Sequence, residues 1–407
     1  PGNDTNFPNG RIIEGGAELI GANHLLWLYY AKKFSLGLAT LTGETDYAQA
    51  GLAIETDLGI TVDEGFEEDL AKVYNAFAND ADTYITDPYN PWTAQVPYAT
   101  VQEAINKYAT NSSVADFLDF ELQNNNVTAI DQQSYLGLLI AIKAHALNGL
   151  NYFDDHETFR CASGNQSLAM AFSEGQSPGI TFSAEVTAIA LIGADNQTTV
   201  PQVSVTVSGQ QPVSYDEVVL AVPATAYPSI TVTGLPGGNT LSDYQVSSGR
   251  AVKFLTAVTD RFWLANNQAP TGAFSTLGMV WENTDQQYEQ AFTSGTGSVN
   301  QYGLSVFAGG PTADSLVDLA KQGSDAVTTA LGDKFPVATG SSDTGFGDSN
   351  VWTQQEFWED QGNSIGYSCP VNDGSGDEAS SVWANIAGLN RDFTNGLFLA
   401  GENTSPG

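Results

Sequence analysis

The chain has 407 residues, 42% of them hydrophobic and including 7 Trp, 16 Tyr and 20 Phe, which is ample apolar surface for a sizeable core. Only 13 Lys and Arg oppose 47 Asp and Glu, a formal net charge of -34, and this excludes nucleic acid as a partner, because phosphate binding needs clustered cations. No stretch approaches the ~20 uncharged apolar residues of a membrane helix, so no membrane partner is expected either.

The acidity is read as the surface of a salt-adapted, marine or secreted protein rather than as calcium chemistry, since no EF-hand loop is present. Cys161 and Cys369 cannot build a disulfide framework, and His24, His145 and His156 lack the spacing of zinc ligands, so no metal is expected. The opening residues Pro1-Gly2-Asn3 and the closing Gly401-Glu402-Asn403 read as a chain cut at both ends.

Taken in order, Ile12 and Ile13 suggest a short strand running into Gly15-Gly16, followed by a helix whose Leu25, Leu28 and Tyr29 recur at core-facing spacing. From Gly65 to Ile85, Phe66, Leu70, Val73, Tyr74 and Phe77 mark one face of an amphipathic helix. Ser113 caps another helix start, and a further helix spans Ile130 to Leu147. The texture then turns to β-branched runs at 180–183, 185–192, 202–207 and 217–222, separated by turn residues. Strands continue from Val252 to about Phe307, a helix is expected around Ala313 to Leu331, and the Gly- and Ser-rich 340–350 is a loop. Nothing repeats at a fixed period. Helices followed by strands and then by more strands with helices give a mixed α+β, α/β pattern in which one domain is interrupted by another.

Five strings in this order carry a resemblance. They are Ile13-Glu14-Gly15-Gly16-Ala17-Glu18-Leu19-Ile20-Gly21; Phe159-Arg160-Cys161-Ala162-Ser163-Gly164 running on to Leu168; Tyr215 to Pro223, ending Val219-Leu220-Ala221-Val222-Pro223; Gly249-Arg250-Ala251-Val252-Lys253 with Arg261-Phe262-Trp263; and Asn395-Gly396-Leu397-Phe398-Leu399-Ala400-Gly401-Glu402-Asn403-Thr404. Glycine suits a backbone that approaches a flat ring closely, because a Cβ would not fit. A strand-to-helix turn such as Gly401-Glu402 offers backbone N–H groups to phosphate and a carboxylate to hydroxyls. Standing alone, Lys253 would be read as a strand lysine reaching solvent.

Together the strings, over about residues 11 to 404, resemble the flavin amine oxidase family of monoamine, polyamine and L-amino-acid oxidases. Ser163 stands where the family has a glycine. The resemblance implies FAD as cofactor and a Rossmann-like FAD-binding domain interleaved with a mixed substrate domain of helices plus a β-sheet. Its expected parts are 1–45, 158–225 and 380–407 for FAD and 46–157 with 226–379 for substrate. The Gly-x-Gly-x-x-Gly turn that seats the pyrophosphate is absent from this sequence, so the chain as it stands is expected to bind FAD poorly.

By the same resemblance Gly15, Gly16, Glu18, Val186, Gly401, Glu402 and Thr404 are expected to contact the cofactor. Lys253 is expected to hold a water at the flavin N5, with Tyr367 and Trp358 as the aromatic walls. The implied reaction oxidises a small-molecule amine or L-amino acid to the imine and reduces O2 to hydrogen peroxide. Amino-acid substrates call for an arginine on the carboxylate, and Arg11, Arg160, Arg250, Arg261 and Arg391 are the only ones. The rival readings are a related flavoprotein of another class, such as a desaturase or amino-acid monooxygenase, and a noncatalytic chain that keeps the fold.

Overall fold

The structure, a computed structural model, describes residues 12–87, 91, 94–145, 157–174, 179–192, 202–222, 224–235, 238–244, 249–258, 260–286, 302–323, 325–341, 345–347, 352–357 and 396–401. The chain opens with β1 (Leu19–Ile20), α1 (Leu25–Lys33), β2 (Leu38–Thr40), α2 (Glu44–Gln49) and β3 (Ala53–Thr56). A helical block follows: α3 (Glu64–Tyr84), α4 (Val101–Tyr108), α5 (Ser112–Asn125) and α6 (Tyr135–His145). Next come β4 (Phe159–Cys161), α7 (Gln166–Glu174), β5 (Val186–Ile192), β6 (Gln202–Val207), β7 (Val213–Tyr215), β8 (Val218–Leu220) and β9 (Thr231–Thr233). The last part holds β10 (Ala251–Ala257), β11 (Gln268–Phe274), β12 (Gly278–Glu282), β13 (Leu304–Gly309), α8 (Gly310–Ala320), α9 (Ala326–Lys334), β14 (Trp352–Phe357) and β15 (Leu397–Leu399). Among the described residues no helix is long and apolar enough to cross a membrane, and no His, Cys, Asp and Glu cluster could hold a metal.

These strands form four sheets: β1-β4-β2, β14-β10-β13-β12-β11-β3, β15-β8 and β7-β6-β5-β9. Alternation explains the six-stranded one. In β12 every second residue is buried, and Val252, Phe254, Val280, Leu304 and Val306 pack with α8 and α9 into one core. The helical block makes a second core from Val73, Phe77, Ile105, Leu118, Tyr135 and Leu139, which continues into the four-stranded sheet through Ile189, Val203 and Val232.

Each helix of the block starts where a short polar side chain accepts a backbone N–H. Asp63 takes that of Phe66, Thr100 that of Glu103, and Asn111 that of Ser113. Ser113 is therefore not the cap expected from the sequence; Asn111, two residues earlier, is. Other expectations shift as well. Ile12 and Ile13 are not in a strand, the run at 180–183 is irregular, and the helix expected over 313–331 breaks into α8 and α9 around Gly323, whose φ is 151°. In α1 the expected inward face is outward: Leu25 and Tyr29 are exposed, and Ala31 is the residue that is buried. The helix is apolar all round, so spacing could not choose its inner side, and Tyr30 and Phe34 instead pack on Phe172 of α7.

Asp69 fastens the helical block. Its buried carboxylate accepts from the Thr110 and Asn111 N–H groups at 2.8 and 2.9 Å and from the Thr110 hydroxyl at 2.6 Å, tying α3 to the α4–α5 turn. Burial alone would raise its pKa, but these bonds and Lys72 hold it down at about 2. A depressed folded-state pKa stabilises above the unfolded value near 3.9 and loses that contribution as pH falls towards the folded one. Asp69→Asn is therefore expected to cost about 2 kcal/mol at neutral pH, and the gap from wild type should close between roughly pH 4 and pH 2. Urea melts across that range check it; a pH-independent difference would mean that shape, not charge, carries the contact.

Candidate active site

The site is assembled on one face of β10. Lys253, Leu255 and Ala257 alternate onto that face, and Ile13 packs on Leu255 and Ala257 in a small buried cluster. The loop from Ile13 to Glu18 thus lies across the strand and brings Gly15-Gly16 to Lys253. The Lys253 Nζ donates to the Gly16 carbonyl at 3.2 Å and to Glu18 Oε2 at 2.6 Å. Neighbouring strands continue the same face, since Lys253 pairs with Phe307 and Phe307 with Met279. Two residues on, the Trp281 ring lies 5.3 Å from the Lys253 Nζ.

Lys253 is 1% exposed and Glu18 4%, so this is a buried ion pair rather than a surface one. It is compensated from the other side. Arg160, on β4, donates through Nη2 to Glu18 Oε1 and the Glu282 carbonyl, and through Nη1 to the carbonyls of Asn283 and Asp285. Burial would raise the Glu18 carboxyl, but the Lys253 ammonium and the Arg160 guanidinium together reverse this and hold it below the ordinary carboxylate range. The turn after β12 is a hub for the same network. Glu282 accepts from Arg261 Nε at 2.9 and 3.0 Å, Arg261 stacks 4.5 Å from the Tyr302 ring, and Asp285 accepts from the Thr42 N–H and hydroxyl at 2.8 Å.

Glycine is needed where backbones cross close to this site. Gly164, at φ 82°, would set a Cβ 2.8 Å from Ile12 Cγ2, and next to it the Asn165 N–H donates to Glu14 Oε1 at 2.6 Å. That contact joins the first and second sequence strings in space, with Ser163 in place. Gly249 has no room for a Cβ either, which would lie 2.5 Å from the Val127 carbonyl oxygen.

Of the residues expected from sequence, the structure brings Gly16, Glu18 and Lys253 together and places Gly15 in the same turn. Val186 begins β5 and packs against the helical core. Gly401 follows β15 at φ 131°, and β15 pairs in parallel with β8, which joins the third and fifth strings. Glu402, Thr404, Trp358 and Tyr367 lie outside the described residues. Sequence reasoning left unassigned the Arg160 fork, the Trp281 contact and Glu157. The Glu157 side chain is exposed, and crowding by neighbouring protein together with repulsion from Glu121 and Glu18 raises its pKa above the ordinary carboxylate value. The alternation of β12 could have flagged Trp281; nothing local could have flagged Glu157.

A family model described as flavin containing amine oxidoreductase matches residues 4–407. The chain belongs to that family, and its cofactor is FAD. Among solved structures it is similar to a double mutant of putrescine oxidase from a redesign of cofactor binding, at 14% identity and TM-score 0.75, covering 98% of this chain and 85% of that one. Wild-type putrescine oxidase bound to putrescine gives 13% identity, TM-score 0.74, and coverage of 98% and 85%. Cyclohexylamine oxidase from Brevibacterium oxydans gives 15%, 0.71, and 97% and 83%. At such identities the likeness is one of fold, and it agrees with the mixed helix and sheet architecture. No curated protein matches the chain in sequence.

The residues present fit a flavin. A glycine turn is held by its carbonyl on a buried lysine, a half-buried indole lies beside that lysine, and the side-chain amide of Asn23, 7% exposed, is left without a protein partner on either atom. FAD, when bound, supplies the two-electron chemistry that no side chain can.

Proposed function

We propose that the chain oxidises a cationic amine lacking a carboxylate, with O2 as electron acceptor, to give the imine and hydrogen peroxide. One observation carries the choice of amine over L-amino acid: each arginine among the described residues is already engaged with a carboxylate of the protein. Arg160 is held by Glu18, Arg261 by Glu282 and Arg250 by Asp314. A substrate carboxylate seeks a guanidinium fork that can bind both its oxygens; Arg160 and Arg261 are committed to buried carboxylates, and Arg250 pairs in a half-exposed surface contact. That solved relatives of the fold act on putrescine and cyclohexylamine is in keeping with this reading.

Within it, Lys253 is the buried donor beside the ring, held to a fixed place by Gly16 and Glu18 and able to orient a water with its remaining N–H. Trp281 and Phe307 shape an apolar wall that excludes bulk water next to the lysine. The residues expected to bind FAD are Gly15, Gly16, Glu18, Val186, Gly401, Glu402 and Thr404.

The test is peroxide release by the flavin-loaded protein over a panel of aliphatic monoamines, diamines and L-amino acids. Monoamines or diamines are expected to exceed L-amino acids by at least about tenfold in kcat/KM, the worth of one unmet charge-assisted contact. An L-amino acid as best substrate would overturn the proposal, and turnover without peroxide would reassign the acceptor.

A further inference from the structure

The carboxylate of Glu18 was expected from sequence among the cofactor contacts, yet both its oxygens face protein cations: Oε2 takes Lys253 at 2.6 Å and Oε1 takes Arg160. Its side chain is 3% exposed, and those of Lys253 and Arg160 are 2% and 4% exposed, so water does not loosen the arrangement. Arg160 is fixed in turn by three backbone carbonyls of the 282–285 turn. A lysine has a flexible four-carbon stem and three equivalent donors, and does not choose a direction by itself. Here the choice is made for it by an acceptor that cannot move.

We infer that Glu18 is a positioning residue for Lys253: it fixes where the ammonium sits relative to the Gly15-Gly16 turn, and by sharing its charge with Arg160 it leaves Lys253 only partly neutralised. The inference rests on the reading of Lys253 as the donor beside the flavin. Each Glu18 oxygen is already held by a protein cation, and its effect passes through the lysine. Residues at its place that lack the charge would release the stem, leaving the lysine only its weaker contacts with the Gly16 carbonyl and the Trp281 ring.

The experiment is a cycle of Glu18→Gln, Lys253→Met and the double variant in the flavin-loaded protein, with Glu18→Asp as the variant that keeps the charge but withdraws it by one methylene. Stopped-flow reoxidation gives the first readout. Glu18→Gln and Glu18→Asp should each slow it roughly ten- to hundredfold, the effect of misplacing a reacting group by about 1 Å. In the Lys253→Met background Glu18→Gln should change nothing further. The second readout does not depend on turnover: in protein labelled with carbon-13 at lysine Cε, the signal that Lys253→Met removes should shift in Glu18→Gln while the other lysine signals stay.

Equal slowing by Glu18→Gln in the wild-type and Lys253→Met backgrounds would overturn the inference, as would an unmoved Lys253 signal. If Lys253→Met itself reoxidises at the wild-type rate, the reading of Lys253 fails, and the signal shift alone then decides whether Glu18 places the lysine. If Glu18→Gln does not fold, Glu18→Asp supplies both readouts.

Discussion

Lys253→Met is expected to lower the unfolding free energy by about 3 kcal/mol, the lower end of what breaking a buried pair costs, because Arg160 still neutralises Glu18. Met keeps the length of the stem, but the ammonium is enclosed, and its partner is an enclosed carboxylate that loses one of two counter-charges. Adding Glu18→Gln should recover little, since Arg160 would then be the unpaired charge. In the flavin half-reactions, reoxidation should slow on the order of 10²-fold, as when a preorganised donor to developing negative charge is removed, with reduction by substrate affected less. Urea melts and stopped-flow traces separate the two effects. Unchanged rates in both half-reactions, with a lowered stability, would reduce Lys253 to a structural residue.

The larger effect is expected at Arg160. Its guanidinium reaches one carboxylate oxygen and three main-chain carbonyls from a single planar fork. Arg160→Met leaves those carbonyls without this donor at about 1 to 3 kcal/mol apiece and strips Glu18 of a counter-charge at a further ~3 kcal/mol. That approaches the whole stability of an ordinary domain, about 5 to 15 kcal/mol, so little folded protein should accumulate. Arg160→Lys should fall between the two, because a compact ammonium on a flexible stem cannot span all four acceptors. Soluble yield and circular-dichroism melting measure both. A Lys variant as stable as wild type would show that the fork geometry is dispensable.

The family was easier to read from sequence than the packing, for a physical reason. Glycines forced by close approach, such as Gly164, and a lysine at a set distance from Gly249 are local in sequence, and their strings survive as patterns. Amphipathic period placed α3 well, since Phe66, Val73 and Phe77 face one core. The same rule failed for α1, which offers apolar residues on every side. It also ran across the break between α8 and α9, where a single glycine conformation ends one helix. Partnership was the least legible of all. Glu18 and Arg160 each sit in a recognised string, but that they meet over Lys253 depends on a loop and two strands from distant parts of the chain, and no spacing records it.

That distance has a kinetic consequence. Lys253 and Glu18 are 235 positions apart, and Thr42 and Asp285 are 243. The edge strand β3 joins its sheet beside β11 in parallel, after the helical block and several other strands have intervened. Closing such loops must precede any gain from the contacts they allow, which makes folding slow and leaves strand edges open meanwhile. Residues 12–60 therefore leave the ribosome long before their partners exist, and the Glu18 carboxylate stays in water until Arg160 and Lys253, in the middle third of the chain, arrive to pair with it.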